Sequence, residues 1–440
     1  MIRVGGDLGS HGLGWALGDG AEAEIVVSTR VRLARNLQGF PFPARSSVED
    51  RARVLETVRV ALDSLTSVPD IDIWEIDKLD ERQRGLLLER RVVSWELIKD
   101  SSGEASHAAL ALWSDDAIGI MVNEEDHLRI QALAGGFDVA ETWRRVDRLD
   151  ERLGELLPYA FHHEYGFLTA CPTNVGTGLR ASVLVHLPGL VLTKEIHKVL
   201  EGIGQVGLTY RGLHGEGSEV VGNLFQISNQ TTLGKQEEDL VSHLTRVVSK
   251  VVDYERSARA MMLRDAPGVL EDKVWRAYGI LRHARSLSAE EMMNLLSALR
   301  LGLSLKLLKT PRVQTLNEIL IFGQAGHLAY AAGGGEHSWT KVSVILVGGS
   351  RSGRGFCGDS ERVGLEPSGM RGGLRAHGWN RSRSLVPDKP RDCVSRHMDR
   401  EVRQAEVDQK GSGCRPERAS YAREPGATIR RRDSSDHPAG

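Results

Sequence analysis

The sequence predicts an α+β chain: a mixed strand-and-helix domain, a smaller helical domain after it, and a tail built like neither. Three observations carry this. Up to about residue 254, short β-branched runs alternate with amphipathic helical stretches. From 255 to about 330 the apolar period is helical throughout. From 331 to 440 Arg, Gly, Ser and Pro crowd the chain and neither period is sustained. At 440 residues, 40 % of them hydrophobic, the chain can hold two domains with cores of ordinary size. The expected parts are an N-terminal extension over 1–24, a first domain over 25–254, a helical domain over 255–330 and the tail over 331–440.

Taken in order, residues 1–20 are glycine-rich, broken by charge and without a signal-peptide pattern. A helix is expected over 48–65, where Val54, Leu55, Val58, Leu62 and Leu65 form one stripe. Strands are expected at 118–122, 183–187, 206–210 and 224–227. A second helix over 139–157 has its stripe in Trp143, Val146, Leu149, Leu153 and Leu156. Further on, Ser288 with Glu291 reads as a capping box ahead of Met292, Leu295, Leu296 and Leu299. No apolar run is long enough to span a bilayer, and a net charge of −2 argues for neither nucleic acid nor a membrane surface. The four cysteines (Cys171, Cys357, Cys393, Cys414) contain no C-x-x-C pair, so a reduced, cytoplasmic protein is expected.

Four segments place arginines beside short polar or glycine turns. They are VSTRVRLAR from Val27, NEEDHLR from Asn123, CPTNVGTGLRASVLVHLP from Cys171 and TYRGLHGEG from Thr209. Arginine is the always-charged, fork-shaped donor that matches phosphate oxygens, so many arginines with few carboxylates read as a polyphosphate grip. The ordinary fate of any one arginine is a surface salt bridge. No G-x-x-x-x-G-K-[ST] occurs, since Gly234-Lys235 is followed by Gln236, and the glycine turn starting at Gly215 lacks its final glycine. Guanidinium groups must therefore take the place of a P-loop.

NEEDHLR, CPTN-x-GT-x-x-RASV and RG-x-x-GE, in this order and spacing, resemble the ATP:guanidino phosphotransferases, which include arginine and creatine kinases. The wording RGLHGEGSEVVGNLFQISNQTTLGKQEED is most similar to the bacterial protein-arginine kinases of that family. The resemblance runs from about residue 25 to about residue 327. It implies a phosphagen-kinase-like fold, an antiparallel sheet flanked by helices as in glutamine synthetase, with ATP and Mg²⁺ as cofactors and Mg²⁺ carried by the nucleotide.

By the same resemblance, Arg30, Arg32, Arg129, Arg180 and Arg211 bind the phosphates. Ser28, Thr29 and Val31 belong to the first arginine segment. Ala181, Ser182, Val183, Leu184, Gly212, Leu213, His214 and Gly215 line the nucleotide with backbone groups. Glu125 matches the catalytic base and Glu216 the second glutamate that grips the guanidinium. The acceptor needs such groups because a guanidinium holds its proton to a pKa above about 12. Cys171 sits beside the substrate guanidinium in the family and tunes its orientation; a lone cysteine before proline is otherwise a small buried hydrophobe. Where the family branch carries K-H-L-I-S, this chain reads Arg90-Arg91-Val92-Val93-Ser94, so Arg91 would meet the nucleotide by charge. His127 and His186 are either nucleotide contacts or packed side chains, and the run His162-His163-Glu164 lacks metal-site spacing.

The first arginine segment starts at Val27, which leaves no room for the helical domain that closes over free substrate in small-guanidine kinases. An open acceptor side fits an arginine within a polypeptide. The resemblance then implies a homodimeric, cytoplasmic stress-response kinase that marks proteins for Clp proteolysis. It also implies action on a heat-shock repressor, with an McsA-like activator and a Clp ATPase as partners. A kinase of free arginine and a non-catalytic adaptor are the alternatives. The tail lacks the family's RDxxRA phosphoarginine-reading motif. It reads as a basic disordered arm, as solvated chain without a role, or, the favoured reading, as the product of a frame shift near Ala331.

Overall fold

Nine strands form one sheet among the residues that the computed structural model describes, which are 2–4, 13–65, 71–99, 105–113, 117–213 and 220–331. The expected tail beyond residue 331 lies outside the described residues. The strands are β1 (Ile2–Val4), β2 (Val26–Arg35), β3 (Ile71–Glu75), β4 (Ala109–Trp113), β5 (Ile118–Val122) and β6 (Leu128–Gly135). A small separate hairpin of β7 (Phe161–His162) and β8 (Gly166–Phe167) intervenes. Then come β9 (Leu179–His186), β10 (Leu208–Arg211) and β11 (Leu224–Asn229). The order across the sheet is β1-β3-β4-β5-β6-β2-β9-β11-β10, antiparallel throughout except for β1 against β3. This is the expected antiparallel sheet flanked by helices.

The helices start where short polar residues cap them. Ser47 forms a reciprocal capping box with Asp50 ahead of α1 (Val48–Ser64), and Asp80 forms one with Gln83 ahead of α2 (Glu81–Glu89). Ser94 caps the short α3 (Trp95–Ile98), and Asp138 caps α4 (Val139–Gly154). The stripes of α1 and α4 are buried as their spacing demands, with two departures, the first being the half-buried Trp143. The second is Leu156, exposed because α4 ends at Gly154, so the period no longer carries it inward. Next come α5 (Pro188–Leu192), α6 (Ile196–Gln205) and the long α7 (Glu237–Asp265), which runs unbroken across residues 254–255. The remainder is α8 (Pro267–His283), α9 (Ala289–Ser304) capped by Ser288, α10 (Val313–Phe322) and α11 (Ala325–Ala331).

Alternation along β2 sorts its residues between two environments. Val31 and Leu33, with Ala181, Val183 and Val185 of β9 and Ile130 and Ala132 of β6, are fully buried on the side where α4 and α7 pack. The opposite face is divided. At one end Leu133, Leu184 and Leu224 enter a core with Met292 and Leu296 of α9 and Leu316 and Leu320 of α10. At the other end the same face turns polar and carries arginines.

A buried polar knot ties the sheet to the helices. The Glu255 carboxylate on α7 accepts hydrogen bonds from the Gly189 and Leu190 amides at 2.8 and 2.9 Å and from Arg259 Nε at 2.6 Å. Arg259 also donates to the His186 carbonyl at 3.0 Å and to Ser304 Oγ at 2.6 Å. Burial pushes the Glu255 carboxyl above its ordinary range although Arg259 and both amides oppose this. The knot is strong only while complete. Glu255→Leu strands a buried guanidinium and should cost about 3–5 kcal/mol, seen as a lower urea midpoint at unchanged slope.

Candidate functional site

The strand register assembles the site. On β2, Ser28, Arg30 and Arg32 share one face, with Arg32 opposite Arg180 of β9 and Gln131 of β6. Arg129 stands opposite Ala34, two residues further along that face. Ser182 pairs with Arg30 on one side and Ser228 on the other, and Arg211 lies opposite Gln226. All five arginines expected to bind phosphate therefore lie on one sheet face, drawn from four strands.

Arg91 joins them from outside the sheet. It follows α2 in the left-handed region at φ 65°, and its guanidinium donates to Ser28 Oγ at 2.9 Å and Gln226 Oε1 at 3.2 Å. The same Gln226 oxygen accepts from Arg30 at 3.3 Å, and the Trp15 ring lies 5.7 Å from the Arg91 guanidinium. One neutral carbonyl thus holds two cations together. Burial, and then the neighbouring arginines, pull Arg30 and Arg32 well below their ordinary pKa. Arg91 falls to about 10 by burial and the charge of Arg32. The Nε atoms of Arg30, Arg32 and Arg91 are buried without a hydrogen-bond partner. Unrelieved positive charge in a partly dry site fits a multiply charged anion.

Three consecutive carboxylates in the turn after β5 have separate surroundings. Glu124 is ion-paired with Arg129 and accepts from Ser94 Oγ at 2.6 Å. Burial pushes its carboxyl up, but Arg129, Ser94 and the Glu125 amide together hold it below the ordinary value. Asp126 is buried and accepts from Asn36 Nδ2 and the Ala170 amide, each at 2.6 Å. That second bond fixes the backbone next to Cys171. Glu125 is the exposed member, hydrogen-bonded to the Cys171 side chain. Desolvation raises its pKa above the ordinary 4.5, helped by Glu124 and Asp126 and opposed by Arg129 and Cys171. Cys171 Sγ also lies 3.1 Å from Thr173 Oγ1. A raised carboxylate, a thiol and an arginine face thus meet at one place.

Some expected residues lie elsewhere. Thr29 turns to the opposite side, where its hydroxyl donates to the Gly136 carbonyl at 2.8 Å. Val31, Ala181 and Val183 are core residues of that same side, and Leu184 is covered by the C-terminal helices. Because β9 is paired on both edges, the backbone of residues 181–184 is engaged in ladders with β2 and β11 and is not turned to the arginine face. Gly212 and Leu213 follow β10, and Leu213 is buried in the helical core. His214, Gly215 and Glu216 lie outside the described residues. His127 is packed, its Nδ1 accepting from the Leu37 amide at 3.0 Å, and His186 is buried against Ser297 at 2.8 Å. Gln226, Ser228, Gln131 and Trp15 were not singled out from sequence. The alternation in LFQISN was the available signal for Gln226 and Ser228; Trp15 and Gln131 had none.

The family description "ATP:guanido phosphotransferase, C-terminal catalytic domain" matches residues 53–258, and "Protein-arginine kinase McsB C-terminal domain" matches 267–336. A protein-arginine kinase of Pelotomaculum thermopropionicum is 43% identical over 310 residues, covering 70% of this chain and 86% of that one. One from Halalkalibacterium halodurans is 44% identical over 320 residues, covering 72% and 89%. Among solved structures, a lombricine kinase superposes with a TM-score of 0.49 at 25% identity, over 58% of this chain and 71% of that one.

The arginine face predicts a trade between stability and binding. Arg32→Met removes a poorly compensated charge, while Glu124 keeps Arg129 and Ser94. The ligand-free protein should gain about 1–2 kcal/mol, and tripolyphosphate should bind at least about tenfold more weakly. Thermal melts with and without tripolyphosphate measure both.

Proposed function

The chain belongs to the ATP:guanido phosphotransferase family, and on that premise we propose that it is a protein-arginine kinase, transferring the γ-phosphoryl group of ATP to arginine side chains of proteins. One observation carries the site assignment: a face on which the buried Arg30, Arg32 and Arg91 crowd one another stands beside Glu125, an exposed carboxylate of raised pKa in contact with the Cys171 thiol. Relatives at 43% and 44% identity named protein-arginine kinases support the acceptor.

In the proposed reaction, Arg30, Arg32, Arg91, Arg129, Arg180 and Arg211 hold the triphosphate, with Ser28 and Ser182 supplying hydroxyls beside them. Mg²⁺, carried by the nucleotide, would supply further positive charge to the phosphates held by these arginines. A guanidinium nitrogen attacks the γ-phosphorus, an N–P bond forms, the bond to the β,γ-bridging oxygen breaks, and ADP leaves with that electron pair. The proton on the attacking nitrogen passes to Glu125. Desolvation suits Glu125 to this, because a carboxylate with a raised pKa is the stronger base. Cys171 orients the acceptor, and Glu216 grips it from the other side. The two matched regions support dividing the chain near residues 258–267. No helix of the described residues is long and apolar enough to cross a membrane. We extend the proposal, on the family resemblance, to a cytoplasmic homodimer in the stress response. Its marks direct proteins to a Clp ATPase and control a heat-shock repressor, and an McsA-like protein activates it.

Incubation with Mg-ATP and either casein or free L-arginine, followed by mass spectrometry at neutral pH, tests the reading. Phosphoarginine should appear on casein, and Glu125→Gln should lower kcat by about 10²–10⁴-fold. Phosphorylation of free arginine alone would move the chain to the small-guanidine branch, and no transfer with ATP bound would indicate an adaptor. The pH profile tests Glu125 directly. The base must be deprotonated, so kcat/KM should fall as pH drops through a limb lying above 4.5. Cys171→Ala removes a contact that stabilises the carboxylate, so the limb should move to still higher pH.

A further inference from the structure

Arg91 stands in the arginine face without belonging to the sheet, so its position depends on the chain that leads into it. α2 ends at Glu89, Arg90 caps it, and Arg91 turns into the left-handed region that residues other than glycine avoid. Two backbone bonds close the turn, Arg91 N to the Leu88 carbonyl at 2.9 Å and Val92 N to the Leu87 carbonyl at 3.2 Å.

The last turn of α2 is gripped from far along the chain. Glu89 Oε1 accepts from the Gly326 amide at 2.7 Å. Glu89 Oε2 accepts from the His327 amide at 2.9 Å and pairs with His327 Nδ1 at 2.7 Å. On the other ring nitrogen, Arg90 Nε approaches His327 Nε2 at 3.4 Å, and the Arg90 guanidinium lies 6.0 Å from the Phe322 ring. One tautomer satisfies both sides of the imidazole: Nδ1–H donates to Glu89, and Nε2 accepts from Arg90. The grip depends on a glycine. A Cβ on Gly326 would stand 2.9 Å from Glu89 Oε2 and 3.0 Å from Oε1, so any side chain there displaces the carboxylate. Leu86 and Leu87 are buried and anchor α2 to the core independently of this clamp.

We propose that Glu89 is a positioning residue: by clamping α11 to the end of α2 it holds the turn that presents Arg91 to the nucleotide phosphates. The inference rests on the reading of the arginine face as the nucleotide site. It makes the phosphate grip answer to a helix some 237 residues away in sequence, while the contact between Glu125 and Cys171 on the acceptor side is made without Glu89, Arg91 or α11.

Four variants test this in the full chain: Arg91→Ala, Gly326→Ala, Glu89→Gln and the double variant Glu89→Gln/Arg91→Ala. Measurements are KM for ATP, KM for casein, kcat and the melting temperature. Gly326→Ala separates positioning from folding, because alanine favours a helix while its methyl group displaces the carboxylate. Gly326→Ala and Glu89→Gln should each raise KM for ATP about fivefold to tenfold. KM for casein should hold, and Gly326→Ala should not lower the melting temperature. The double variant should be no worse for ATP than Arg91→Ala alone, since both act through one guanidinium. An unchanged KM for ATP in Arg91→Ala would overturn the nucleotide reading of Arg91 and the inference with it. A raised value there, with Gly326→Ala and Glu89→Gln at wild-type values, would overturn the inference alone. Additive losses in the double variant would also overturn it, because Glu89 would then act by a separate route.

Discussion

Like-charge repulsion on one face of a sheet is the constraint around which this molecule is organised. Two unit charges about 4 Å apart at an effective dielectric of about 20 repel by roughly 4 kcal/mol, against a whole-domain stability of about 5–15 kcal/mol. Burial, and then repulsion from neighbouring arginines of the cluster, lower the pKa values of Arg30, Arg32 and Arg91. Such a cluster survives only where the backbone is held by something else. Here β2 and β9 are ladder-paired on both edges, and their other face is a dry core under α4 and α7. Rigidity from one side of the sheet supports electrostatic strain on the other.

The means of holding the charges apart are modest and specific. Glu124 neutralises Arg129, Gln226 accepts from both Arg30 and Arg91, and Trp15 offers an aromatic ring beside Arg91. Glu124 is the one carboxylate ion-paired with an arginine of this face among the described residues. A second carboxylate so placed would relieve the repulsion and also reduce the attraction for an anion. The neutral carbonyl of Gln226 relieves less and leaves the charge in place for a ligand.

The turn holding Glu124, Glu125 and Asp126 shows the same economy. Three neighbouring carboxylates differ because of what each reaches: an arginine and a serine, a cysteine near solvent, and the amide of Ala170 with Asn36. Asp126 is the least conspicuous and performs an assembly step, since it draws the Cys171 segment against the turn. The catalytic pair of the proposal thus owes its closeness to a residue that takes no part in the chemistry.

Much of this was legible in the sequence. The apolar stripes over 48–65 and 139–157 placed α1 and α4, Ser288 marked the start of α9, and the motif segments named the five arginines, Glu125 and Cys171. These features are decided within a few residues, by side-chain period, caps and turn chemistry. Val31, Ala181 and Val183, expected at the nucleotide, were placed in the core only by the structure. What the sequence could not reveal was which distant residues complete the site. Gln226 meets Arg30 and Arg91, Asp126 meets Ala170, and Glu89 meets His327 only because separate elements pack together. Their pairing depends on the register of strands and the docking of helices, and that free energy is spread over the whole core rather than written in any local pattern.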